Sequence, residues 1–121
     1  MNKATIIVDS ITIAGQRLTT IEVTLPRCVL AEFNTHRTHS RNSASSRAIP
    51  SERLISAIMT DPFIPQWTAA NKGMVAAGLL APANVMAADS VWLTARDAAI
   101  HAADALVSLG VAKQDANRPL E

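Results

Sequence analysis

A chain of 121 residues with a 49% hydrophobic share holds enough apolar material for one small domain, or for part of a larger one. A net charge of +1 removes any global argument for nucleic acid or for a membrane surface. No apolar run approaches the roughly 20 residues needed to span a bilayer. Aromatic residues make up only 3%, and alanine supplies much of the apolar count. Such small side chains bury little area each, so a core of this kind is expected to need a partner subunit or a further segment. Cys28 is the only cysteine, which leaves no intrachain disulfide and no cysteine-based metal pattern. The start reads as a polar strand rather than a signal peptide, and a reducing cytoplasm is the expected compartment.

Ala4 to Ile13 (ATIIVDSITI) is rich in β-branched residues, with a polar break at Asp9-Ser10. Gly15 marks a turn. Leu18, Ile21, Val23 and Leu25 then alternate with polar residues from Arg17 onwards, and the two segments predict a β-hairpin. Pro26 suits the first turn of a short helix over Arg27 to about Asn34, with Val29, Leu30 and Phe33 on its apolar side.

Pro50 ends a polar stretch that begins at Glu32, and its ring predicts an extended Ala48-Ile49. Ser51 is a candidate N-cap for a helix over Glu52 to Met59. Ala69 to about Leu80 reads as a weak helix interrupted by Gly73 and Gly78, with Pro82 breaking it. A long helix follows from about Asn84 to Leu109. Trp92, Ala95, Ala99, Ala102, Leu106 and Leu109 form its apolar stripe, and Gly110 its left-handed cap. At ~1.5 Å per residue it would run nearly 40 Å, which implies a bundle with other helices or other subunits. The fold class predicted is α+β: an antiparallel sheet begun by the N-terminal hairpin, packed with helices. One domain over 1–121 is the economical division, with an end that looks cut.

The chemistry concentrates in the stretch from Glu32 to Pro50, EFNTHRTHSRNSASSRAIP. Its 19 residues hold two histidines, three arginines, two asparagines and four serines. Between Arg27 and Arg53 the local net charge is +3 before histidines are counted. Arginine presents a planar fork of donors to phosphate oxygens, and serine hydroxyls with loop N–H groups complete an anion cradle. A merely solvated Arg/Ser loop is the plain alternative. Glu32, His36 and His39 have a spacing that could ligate a metal on a helix, although the neighbouring arginines oppose a cation. Cys28 lacks a paired base, which favours a buried structural thiol over a nucleophile. The Trp92 stripe reads as core or subunit interface, and His101 as a surface histidine.

The central stretch resembles the signature of the flavin-dependent thymidylate synthases, the ThyX family, in the form RHR-x-x-S-x-N-E-x-S-x-R. His36, Arg37, Ser40, Asn42, Ser45 and Arg47 stand on its positions without a break in spacing. The strings PRCVLAEFNTHR and SRNSASSRAIP are similar to those of the family's phage-type branch. KQDANRPLE resembles the start of a later family helix, with Arg118 on its arginine.

This resemblance implies a flavoprotein methyltransferase. It would bind FAD and dUMP and take its methylene from methylene-tetrahydrofolate and its reducing equivalents from NADPH. The product is dTMP, made for nucleotide biosynthesis without a protein nucleophile. The family is a homotetramer with sites between subunits. Carried over by position, Thr35, His36, Arg37 and Ser43 fall on FAD-binding positions. Glu32, Ser45, Ser46, Arg47 and Arg118 fall on dUMP-binding positions. Thr35 and Ser43 stand where the signature has arginine and glutamate, which removes two opposite charges. The family's second half is also absent, so the 121 residues are expected not to turn over alone. A nucleotide-binding or oligomeric module without catalysis is the alternative.

Overall fold

The computed structural model describes residues 3–45, 47–73 and 75–121. The architecture is α+β, with one antiparallel hairpin followed by helices. The chain divides into two compact units, Met1–Asn42 and Ser43–Glu121.

The first unit opens with strands β1 (Lys3–Ile11) and β2 (Arg17–Thr24). Ile6 pairs with Ile21 and Ala4 with Val23, and a register shift lies between Ile6 and Val8. The shift places Asp9 opposite Thr19, and Ile11 opposite Arg17. The polar break anticipated at Asp9-Ser10 is thereby explained. Asp9 Oδ1 accepts from Arg17 Nε at 2.9 Å and from Thr19 Oγ1 at 3.0 Å, while Oδ2 accepts from Arg17 Nη2 at 2.5 Å. Arg17, followed by Thr19, holds the Asp9 carboxyl below its ordinary value. The apolar hairpin residues stay open, with Ile6 58%, Leu18 68% and Ile21 52% exposed. A two-stranded hairpin with this little burial is marginal by itself.

Pro26, at φ −61° and ψ 140°, precedes the first helical turn instead of lying within it. A 3-10 turn (Arg27–Val29) leads into α1 (Leu30–Thr35). Val29, Leu30 and Phe33 are half-buried, as their spacing predicts. Cys28 is exposed, which corrects the expectation of a buried thiol.

The second unit holds α2 (Ser51–Thr60), α3 (Pro82–Ser108) and α4 (Lys113–Ala116), closed by a 3-10 turn (Arg118–Leu120). Ser51 is the buried first residue of α2 and makes no capping bond. The N-cap is Pro50, whose carbonyl accepts from Arg53 and Leu54. Residues 69–73 and 75–80 are not helical. Gly73 and Gly78 sit at φ +117° and +108°, outside helical space, and Ala69 donates to Gly78 while Leu80 donates to Trp67.

Pro82 begins α3 instead of stopping the chain before it. The covered face of α3 is rotated from the expected stripe. Ala103 is fully buried and Trp92, Ala99, Ala102 and Leu106 are half-buried, but Ala95 and Leu109 are exposed. Trp92 packs edge-on against Phe63 and Trp67, with ring centroids at 6.3 and 5.7 Å. Both indole N–H groups are satisfied: Trp92 donates to the Phe63 carbonyl at 2.6 Å and Trp67 to Asp89 at 2.7 Å. Gly110 (φ +78°) closes α3 as expected, donating to Val107 while Val111 donates to Leu106. That pair of bonds is a Schellman cap. No helix among the described residues is long and apolar enough to cross a membrane.

Candidate functional site

The sequence-predicted site residues fall in both units. Glu32, Thr35, His36 and Arg37 belong to the first, and Ser43, Ser45, Arg47 and Arg118 to the second. Ser46 lies outside the described residues.

In the first unit, α1 ends because its last residue closes on itself. Thr35 Oγ1 donates to the Glu32 carbonyl at 2.7 Å. His36 then leaves the helix at ψ 110° while its N–H reaches the Phe33 carbonyl at 3.3 Å. The chain turns back so that the His39 ring meets Phe33, with centroids 5.2 Å apart. Glu32, His36, Arg37 and His39 are all exposed. Among the described residues no group of three His, Cys, Asp and Glu side chains assembles to hold a metal.

Arg41 organises this segment, and sequence reasoning counts it only as one cation among several. Its Nε donates to Asn34 Oδ1 at 3.0 Å. Its Nη2 donates to the Asn34 carbonyl, and its Nη1 to the carbonyls of His36 and, at 3.5 Å, His39. All three guanidinium nitrogens are therefore engaged with the chain's own acceptors. The Arg37 side chain, by contrast, has no partner among the described residues.

In the second unit, Ser45 and Arg47 form a short turn. The Arg47 N–H donates to Ser45 Oγ at 3.3 Å, and Ala48 N–H to the Ser45 carbonyl at 2.9 Å. Ala48 is therefore drawn into a turn, where an extended residue was expected before Ile49-Pro50. The Arg47 side chain is exposed and has no partner among the described residues. The turn is fixed at its exit by a residue the sequence reading passed over. Asn117, fully buried, donates from Nδ2 to the Ile49 carbonyl at 3.1 Å. Arg118 follows directly, so the chain near Arg47 and the chain bearing Arg118 are joined. Arg118 is exposed and lies 3.4 Å from Glu121 Oε2, a surface pair of small strength. Ser43 is exposed at the start of this unit.

The donor set suits an anion. In the first unit Arg37 offers a planar guanidinium fork with no acidic partner among the described residues, and in the second unit Arg47 does the same beside the Ser45 hydroxyl. Compared with known proteins, the chain matches no family model, no curated protein and no solved structure.

Proposed function

We propose that this chain carries the nucleotide- and flavin-binding segment of a flavin-dependent thymidylate synthase. The observation that carries the reading is the unbroken motif spacing from His36 to Arg47, with the two matching arginines, Arg37 and Arg47, left without protein partners among the described residues. A phosphate dianion is the acceptor such arginines best satisfy. Each charge-assisted bond would contribute on the order of 1.5–3 kcal/mol.

In this reading the motif positions assign Ser45, Ser46, Arg47 and Arg118, and also Glu32, to dUMP. They assign His36, Arg37, Thr35 and Ser43 to FAD. FAD, reduced by NADPH, supplies the redox chemistry that turns a methylene from methylene-tetrahydrofolate into the methyl group of dTMP. The protein's part is to bind and orient the anionic groups. The family resemblance is what carries the expected homotetramer with sites between subunits, and the exposed apolar hairpin is a surface that association of copies would cover. The compartment proposed is the cytoplasm.

One observation favours the second reading, a nucleotide-binding module without catalysis. Thr35, standing where the motif has arginine, turns its hydroxyl back onto the Glu32 carbonyl instead of presenting a donor outward. The two readings separate in an absorbance spectrum of the purified chain, repeated with added FAD and dUMP. Flavin bands that shift on addition of dUMP support the enzyme segment. Calorimetric binding of dUMP with no flavin retained selects the module. Failure to bind either ligand removes both.

A further inference from the structure

The 34–41 segment has an internal geometry that the motif resemblance does not specify. Arg41 falls on a position the signature leaves open, yet it holds the segment together. Its planar guanidinium collects the carbonyls of Asn34, His36 and His39 together with the Asn34 side-chain oxygen. In a planar trans peptide the carbonyl of one residue and the N–H of the next point in opposite directions. Drawing the His36 and His39 carbonyls inward therefore directs the N–H groups of Arg37 and Ser40 outward. Neither N–H has a hydrogen-bond partner among the described residues.

We propose that Arg41 is the positioning residue of this segment. By gathering its carbonyls, Arg41 presents the Arg37 and Ser40 N–H groups, with the Arg37 guanidinium, to a phosphate-bearing anion. Part of this rests on the anion-binding reading of the same stretch. Arg41 also adds a permanent positive charge to the loop, and at physiological salt such charges act over ~8 Å. Lysine could supply that charge but not the function. A compact ammonium lacks the planar fork needed to span acceptors from Asn34 to His39.

The test is amide-resolved NMR of the full 121-residue chain, titrated with inorganic pyrophosphate at constant ionic strength. In the unaltered chain the Arg37 and Ser40 amides should shift together and saturate. Arg41→Lys and Arg41→Ala should each weaken that saturation by about 10-fold or more, the energy of one charge-assisted hydrogen bond. Both variants should melt within a few degrees of the unaltered chain, because Arg41 is exposed and covers no core. Pyrophosphate binding by Arg41→Lys equal to that of the unaltered chain would show that charge alone matters and overturn the proposal. The absence of any Arg37 or Ser40 shift in the unaltered chain would overturn it as well. FAD and dUMP are titrated in parallel. If neither binds while the pyrophosphate shifts persist and depend on Arg41, the flavin–nucleotide reading fails and the role of Arg41 stands.

Discussion

Asn117 Nδ2 donates to the carbonyl of Ile49 across 3.1 Å, joining positions 68 residues apart in the chain. The bond fastens the exit of the Ser45–Ala48 turn to the residue before Arg118. Because Asn117 is fully buried, its amide cannot exchange this partner for bulk water without opening the structure. Replacing it with alanine removes the donor from the part-buried Ile49 carbonyl. Asn117→Ala is expected to lose about 1–3 kcal/mol, read as a lower urea midpoint with an unchanged slope. The same variant should weaken dUMP binding, since both proposed phosphate arginines lie within two residues of the bond. Unchanged stability would show that Asn117 makes no net contribution here.

The two arginines left open by the fold give the most direct test of the site. Arg47→Ala should weaken dUMP binding by about 10- to 100-fold, and Arg37→Ala should weaken FAD binding over the same range. Isothermal titration reads both. Neither variant should alter the melting temperature appreciably, because both side chains are exposed. A loss of affinity confined to Arg53→Ala, which lies on α2 outside the motif, would place the anion elsewhere.

The hairpin carries a pH signature of its own. Arg17, and after it Thr19, lowers the Asp9 carboxyl from its ordinary value. A carboxyl with a depressed folded-state pKa stabilises the fold above its unfolded pKa, ~3.9 for aspartate. That contribution is lost as pH falls through the lower folded-state value. Asp9→Asn should therefore be less stable than the unaltered chain near neutrality, and the gap should close under acid conditions. Denaturation curves collected between pH 2 and 7 check this. A gap that persists at the acid end would assign the effect to hydrogen-bond geometry instead of charge. Arg17→Lys should give an intermediate result, because lysine cannot reproduce the two parallel bonds to Asp9.

How much of this was legible in the sequence depends on what kind of contact each feature uses. The hairpin and α2 were readable because β-branched runs and helical spacing leave a local pattern. The long helix starts two residues before the expected Asn84, and four of its six stripe residues are half-buried while Ala95 and Leu109 are open. An alanine-rich helix has small apolar residues on every side, so Ala95 and Ala103 look alike until packing distinguishes them. The alanines after Trp67 favour a helix, but Gly73 and Gly78 adopt backbone angles outside helical space. Within the candidate site, the arginines and serines announced themselves by type. The roles of Arg41 and Asn117 did not. Both act on backbone carbonyls, and every residue has one, so the partner leaves no trace in the side-chain sequence. The lack of a paired base beside Cys28 argues against a nucleophile but says nothing about burial, and the thiol is exposed.

The cap of α3 provides a final test that is independent of any ligand. Gly110 sits at φ +78°, with its N–H bonded to Val107 and the next N–H, of Val111, bonded to Leu106. A Cβ built on Gly110 meets nothing within 4 Å. Gly110→Ala therefore introduces no clash with the rest of the chain, only the intrinsic cost of a left-handed L-residue. That cost is about 1–2 kcal/mol. Gly110→Asn should lose less, since asparagine tolerates this region better. If the alanine variant were as stable as the unaltered chain, the helix must end by another route, with Leu109 or Val111 taking up a different backbone. If instead it lost far more than about 2 kcal/mol, the segment from Val111 through Asn117 would have to be disturbed too. The Ile49 bond and dUMP affinity should then fall together with stability.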